Sequence, residues 1–145
     1  MIDGVKILER YSFGDERGEV MHIMKQSDEN FQKFGDVYCS TVRQEVIKGW
    51  NYHKEATINF TVIRGLIKLV LFDARKKSHT KNEKCIFNLG VDNYSSISVP
   101  PKIWYAFQGK SQKKGYIINF MSHPYDPNEL LKMDPHEKEI INHKW

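Results

Sequence analysis

Apolar and polar residues alternate along most of the chain with the two-residue period of a half-buried β-strand. In Thr57 to Ile63, Ile58, Phe60 and Val62 share one face while Asn59 and Thr61 share the other. Val37 to Val42, Leu66 to Phe72, Lys84 to Leu89, Ser96 to Val99 and Tyr116 to Met121 are likewise rich in the Val, Ile, Phe and Tyr that strands favour. Asp73 to Lys84, almost free of apolar side chains, is expected to be a loop. Arg64-Gly65 between two strands reads as a tight hairpin, because glycine tolerates positive φ. One short helix is expected to start at Asp126, with Asp126 as its cap and Pro127 in its first turn. The charged tail ends on Trp145, an aromatic suited to dock back on the domain. Many short strands with turn signals between them predict an all-β double-sheet jelly roll. Its ligand cavity would be lined by inward-facing alternate residues.

Length and composition narrow the picture. The 145 residues suit a single domain spanning 1–145, and 40% hydrophobic content supplies a real core. Lys plus Arg total 22 against 18 Asp plus Glu, a formal charge of +4. The lysines are scattered among acidic residues and form no basic stripe, which argues against nucleic acid as a partner. A small anionic ligand such as a nucleotide remains compatible. Met1 to Lys6 lacks a secretory pattern and no apolar run approaches membrane-spanning length, so a cytoplasmic protein without a membrane partner is expected. Cys39 and Cys85 lack CxxC spacing and read as buried thiols.

Two clusters carry candidate chemistry. In Lys48-Gly49-Trp50-Asn51-Tyr52-His53, period two puts Asn51 and His53 on one face and Trp50 and Tyr52 on the other. The second, Val99-Pro100-Pro101-Lys102-Ile103-Trp104-Tyr105-Ala106-Phe107, leads from a proline turn into a strand. Trp50 and Trp104 are candidates for stacking on a base or sugar, or for core packing. Lys68 interrupts an apolar strand and reads as an edge-strand gatekeeper. His22, His79, His123, His136 and His143 show no ligand spacing and read as surface or structural residues.

Both clusters resemble the two motifs of the cupin superfamily, HxH and PxGxxH, with Asn51-Tyr52-His53 and Pro100 to Tyr105 in their places. Only His53 survives among the motif histidines. Three or four converging imidazole or carboxylate ligands are what a divalent metal needs, so no metal site is expected.

Within the cupins the chain resembles the dTDP-4-dehydrorhamnose 3,5-epimerase family over most of its length. Phe13-Gly14-Asp15-Glu16-Arg17-Gly18 is similar to the family's D-x-RG segment, and Lys48 to His53 to its RG-x-H segment. Gly65 to Thr80 resembles the glycine, strand and DxR-x-x-S-x-T stretch. Val99-Pro100-Pro101 with Tyr105-Ala106-Phe107 resembles IPxG-x-x-HGF, and Pro124 to Pro127 the Y-x-P turn that holds Tyr125.

The resemblance implies proton transfer next to a ketone without metal or organic cofactor. A base removes a C–H proton, an acid returns one, and a donor steadies the enolate oxygen. The family's base histidine falls on Asn51, its oxyanion lysine near Ile58, its tyrosine acid near Asn119 and the HGF histidine on Tyr105. His53, two residues from Asn51, becomes the candidate base, with Tyr105 or Tyr125 as acid. Arg17 and Lys48 become candidates for gripping a diphosphate, Lys48 without the bidentate geometry of arginine. The implied partner is a nucleoside-diphosphate 4-keto-6-deoxyhexose, dTDP-linked. A homodimer is also implied, with Val5 to Leu8 suited to strand pairing between copies. Three readings stay open: an epimerase or isomerase, a sugar-nucleotide-binding cupin without turnover, and a structural cupin.

Overall fold

The computed structural model describes residues 1–145, which form twelve strands and no helix. They are β1 (Lys6–Glu9), β2 (Ser12–Asp15), β3 (Gly18–Met21), β4 (Asp36–Val42), β5 (Ile47–His53) and β6 (Ile58–Arg64). The second half supplies β7 (Leu66–Asp73), β8 (Lys84–Gly90), β9 (Ser95–Val99), β10 (Ile103–Gly109), β11 (Gly115–Met121) and β12 (Leu130–Lys132). One five-stranded sheet runs β1-β9-β6-β11-β4, the other β12-β5-β10-β7-β8, and β2 pairs only with β3. All strand pairs are antiparallel, so each sheet can bury one face in the jelly roll. Phe60, Ile97 and Ile117 from the first sheet meet Leu69, Leu71 and Phe107 from the second in the main core. Fully burying side chains of this size contributes roughly 1.5–3 kcal/mol each.

The strands read from the alternation are present, but Gly65 plays another part than expected. β6 and β7 do not pair; they lie in different sheets, and Gly65 is the corner between them. Its φ is +77°, and a Cβ there would come 2.6 Å from Ser111 Oγ. Alternation shows that both flanking segments are strands, but the choice of partner is made by packing across the whole sheet. The same correction reaches Lys68, because β7 lies between β10 and β8 and is no edge. The Lys68 ammonium instead stands 5.3 Å from the centroid of the Trp145 ring.

The expected helix at Asp126 is absent. The Asp126 side chain accepts a bond from Asn128 N (2.8 Å) and closes a turn, after which Leu130 to Lys132 pair with β5. Reciprocal bonds between Trp50 and Met133 extend that pairing, so the open edge of β5 overrides the local capping signal. Cys39 is exposed and Cys85 only half-buried, which corrects the reading of both as buried thiols.

The tail does dock. Ile141 packs with Trp50, Val70, Phe72 and Ala106 in a second apolar cluster on the outer face of the β5-β10-β7 sheet, with Trp145 against it. Trp145 Nε1 donates to Pro135 O (2.8 Å). Trp50 is fully buried there, so it is a packing residue and not a stacking platform.

Candidate active site

β5 supplies one wall of the cavity, and its phase is reset by a bulge. Asn51 pairs with Tyr105, yet Lys48, three residues earlier, pairs with Phe107, only two residues along β10. The extra residue lies at Gly49-Trp50, where Gly49 has φ +130° and a Cβ would come 2.5 Å from Ala106 Cβ. Lys48, Asn51 and His53 thereby face inward together, whereas strict alternation would send Lys48 outward with Trp50 and Tyr52. Lys48 Nζ lies 5.9 Å from the Phe107 ring centroid and donates to Thr41 O (3.4 Å) on the opposite sheet. It therefore bridges the rim between the two sheets.

At the other end of β5 stands His53, 4% exposed. Its Nδ1 lies 2.6 Å from Glu129 Oε2 and its Nε2 lies 3.0 Å from the Tyr105 hydroxyl. Glu129 Oε1 accepts the backbone N–H groups of Glu55 (2.9 Å) and Ala56 (2.8 Å). Burial works against the Glu129 charge, but the His53 bond and these two N–H donors outweigh it and lower the pKa. An ionised carboxylate can only accept, so Nδ1 carries a proton, and in the neutral ring Nε2 then offers its lone pair. The Tyr105 hydroxyl donates to that lone pair. Burial, with Tyr38 and Glu129 nearby, pushes the Tyr105 phenol well above its ordinary pKa, so it stays protonated. Glu129, His53 and Tyr105 form one hydrogen-bonded line.

The line opens on a cavity of about 360 Å³ lined by Asp36, Tyr38, His53, Met121, Tyr125 and Leu130. Tyr125 is exposed at its mouth and its hydroxyl makes no internal hydrogen bond. Asn119 is buried in the first sheet, where its Nδ2 donates to Ile117 O (3.0 Å), Ser40 Oγ (3.2 Å) and Tyr38 O (3.3 Å). Its amide therefore pins β11 to β4.

Of the residues singled out from sequence, His53, Asn51 and Lys48 share the inward face of β5, Tyr105 bonds His53, and Tyr125 lines the same cavity. Arg17 stands apart. It lies on the β2–β3 hairpin, its side chain 84% exposed and bonded to Asp15 at 2.5 Å. The larger, open recess of about 550 Å³ beside that hairpin gathers Arg17, Asp15 and Glu19 but no histidine or tyrosine. Glu129 is hidden in the sequence, because it follows a turn that reads as the start of a helix and lies 76 residues from His53. A carboxylate just past a Y-x-P turn was the available signal.

Known proteins resemble the chain over its whole length. The dTDP-4-dehydrorhamnose 3,5-epimerase family matches residues 1–145. The spore coat polysaccharide biosynthesis protein SpsL of Bacillus subtilis (strain 168) is 27% identical over 146 residues, covering 100% of this chain and 97% of that protein. The crystal structure of a dTDP sugar isomerase from Desulfovibrio desulfuricans G20 superposes with a TM-score of 0.93 at 29% identity, covering 96% of this chain and 89% of that one. An epimerase from Legionella pneumophila, solved with dTDP-4-keto-L-rhamnose, shares the fold with a TM-score of 0.85 at 20% identity, covering 99% and 79% of the two chains. With a whole-length match and a jelly roll that faces histidine, tyrosine and carboxylate into one cavity, the chain belongs to the dTDP-4-dehydrorhamnose 3,5-epimerase family of nucleotide-sugar epimerases.

Proposed function

We propose that the protein epimerises or isomerises a nucleoside-diphosphate 4-keto-6-deoxyhexose, dTDP-linked, by proton transfer at a carbon next to the ketone. The reading is carried by the ionised Glu129 held on Nδ1 of His53, whose ring lines the cavity. The carboxylate fixes the orientation of the ring and stabilises the imidazolium that forms when Nε2 takes a proton. The C–H electron pair moves onto the keto oxygen as an enolate, and a proton returns to carbon from Tyr125 on the other side of the sugar. Tyr105 holds Nε2 until substrate arrives. A buried phenol is a poor proton source, so it releases the lone pair rather than protonating it. Asn51, between His53 and Lys48, donates its amide to the sugar or its enolate oxygen.

Lys48 lies five residues from His53, and the bulge shortens the span to four residue rises, roughly 13 Å along the strand. A hexose beside His53 would then send its diphosphate towards the Lys48 ammonium. Arg17 completes the grip from a second copy of the chain. The hairpin and its approach expose Tyr11 (62%), Phe13 (63%) and Val20 (63%), an apolar surface that a homodimer would cover. The chemistry calls for no metal or organic cofactor. Two free cysteines and no disulfide suit the reducing cytoplasm.

Incubation with dTDP-4-keto-6-deoxyglucose in heavy water, followed by proton NMR, tests the reading. Deuterium should enter at C3, C5 or both, and His53→Ala should abolish its entry. A sugar-nucleotide-binding role without turnover is favoured by Asn51 at the family's base position and by the phenol on Nε2. Binding of dTDP with no exchange above background would decide for that second reading.

A further inference from the structure

The outer face of the sheet whose inner face bears His53 holds a further concavity, of about 530 Å³, lined by Asp3, Tyr52, Arg75, Lys76, Lys77 and Lys102 among others. We infer that this recess is a second binding site, separate from the barrel, for a saccharide bearing a phosphate or carboxylate group.

The recess is held open by a rigid frame. Asp73 is fully buried, and its carboxylate accepts bonds from Arg75 N (3.0 Å), Arg75 Nε and Nη2 (both 2.8 Å), Ser78 Oγ (2.6 Å) and Thr80 Oγ1 (2.8 Å). Arg75 Nη2 also donates to Asp3 O (2.6 Å), which ties the chain's start to the same knot. The Arg75 charge is therefore engaged in holding the loop. Lys76 and Lys77, at the loop's tip, are exposed and have no hydrogen-bond or ion-pair partner.

Lys102 approaches from the β9–β10 turn. It holds φ +68°, a left-handed conformation uncommon for a residue with a side chain, and its N–H donates to His53 O (2.7 Å). It too is exposed and unpaired. Setting Arg75 against Asp73, three lysines face a single lining carboxylate, Asp3, which leaves 3 − 1 = +2 at the recess. Like charges converging in a concavity focus a field that attracts an anion.

The floor is aromatic. Tyr52 points away from the barrel and lies against Trp104, with ring centroids 5.0 Å apart. Burial raises the Tyr52 pKa, so its ring is neutral. A pyranose presents a flat face of C–H groups that suits such a surface, while an attached anion reaches the ammonium groups. Phosphate alone would leave the ring unused, and a neutral sugar would leave the lysines unused.

Amide chemical shifts of the intact protein, followed during titration, test the site with four probes. Tetragalacturonate and glucose 1-phosphate should move the amides of Tyr52, Ala74 to Ser78 and Lys102. Maltotetraose and inorganic phosphate should bind there at least tenfold more weakly. The triple variant Lys76→Glu, Lys77→Glu, Lys102→Glu should weaken the two anionic saccharides at least tenfold, with melting temperature and dTDP binding unchanged. Tyr52→Leu, which keeps an apolar side chain, should lower glucose 1-phosphate affinity and leave inorganic phosphate unaffected. The inference is overturned by shifts confined to barrel residues, by equal affinity for maltotetraose or inorganic phosphate, or by unchanged binding in the triple variant.

Discussion

The two faces of β5 solve opposite problems within one strand. Inward, the polar His53 is enclosed beside Tyr105, and each ring nitrogen has a partner, so burial without loss of hydrogen bonds is met by Glu129 and the phenol. Outward, Trp50 is apolar and would lie in water, and the tail from Met133 to Trp145 covers it. One face is completed by a carboxylate from a distant turn, the other by a strap of chain. The lesson is that functional polarity and structural apolarity share one backbone only because each recruits its own cover from the same C-terminal region. Glu129 and Trp145 lie on either side of β12 and serve the two faces separately.

The sharpest way to break this comparison is to remove the inner cover's chemistry. His53→Ala should lower solvent exchange on the keto sugar by about 10²–10⁴-fold, the usual worth of a general base, and should also lower the melting temperature, because Glu129 and the Tyr105 hydroxyl lose their buried partner. Glu129→Gln should cost about 10²-fold in rate, because an amide cannot stabilise imidazolium. Stopped-flow or NMR exchange would measure both, and wild-type rates in either variant would remove that residue from the mechanism.

Next in size is the bulge that sorts the two faces. Gly49→Ala drives a methyl against Ala106 Cβ and the Tyr105 carbonyl, the latter 2.9 Å away, at φ +130°. Overpacking and backbone strain together should cost about 2–5 kcal/mol in a denaturant titration. Ile141→Ala should destabilise by about 2–4 kcal/mol through the cavity it leaves under the tail, with exchange chemistry preserved. A loss of exchange without loss of stability would contradict the separation of the faces.

The smallest effect is also the most discriminating, because the two faces should respond to acid at different pH. The His143 ring packs between Trp50 and Trp145, with centroids 6.3 and 4.7 Å away. Burial, then Lys68 and Lys84, lowers its pKa, so the folded protein prefers it neutral. The unfolded chain binds that proton more readily, so tail docking is strongest above about pH 6.5 and weakens as pH falls below it. Glu129 is shifted the other way in charge terms: its lowered pKa contributes stability above about pH 4.3, lost only as pH falls through the folded value. Tryptophan emission should shift to the red as pH falls below about 6.5 and through the folded His143 value, while the Glu129 carboxylate stays ionised. His143→Gln should remove that first step.

Much of this was legible in the sequence, and the parts that were not have a common cause. Period two identified the strands and put Asn51 and His53 on one wall, because alternation is a local property of the backbone. Partner choice is not local, so Gly65 read as a hairpin although it joins two sheets, and Lys68 read as an edge residue although it lies on an inner strand. The hairpin of β2 and β3 escapes because its four-residue strands are almost wholly exposed, so no buried face imposes an alternation on them. Lys48 faces inward only through an added residue, which strict counting misses. Glu129 required knowing that the open edge of β5 would capture Leu130 to Lys132 and straighten the expected helix.

The corner at Gly65 has a bearing on redesign. The chain leaves one sheet and enters the other within a single residue, so at that point the gap between the layers has no slack. Enlarging the barrel for a bulkier sugar by trimming lining side chains would leave that spacing untouched, whereas lengthening the connection at position 65 would free the layers to part. The spacing of the two layers at that end of the barrel is therefore fixed by one short crossing, whichever groups meet the ligand.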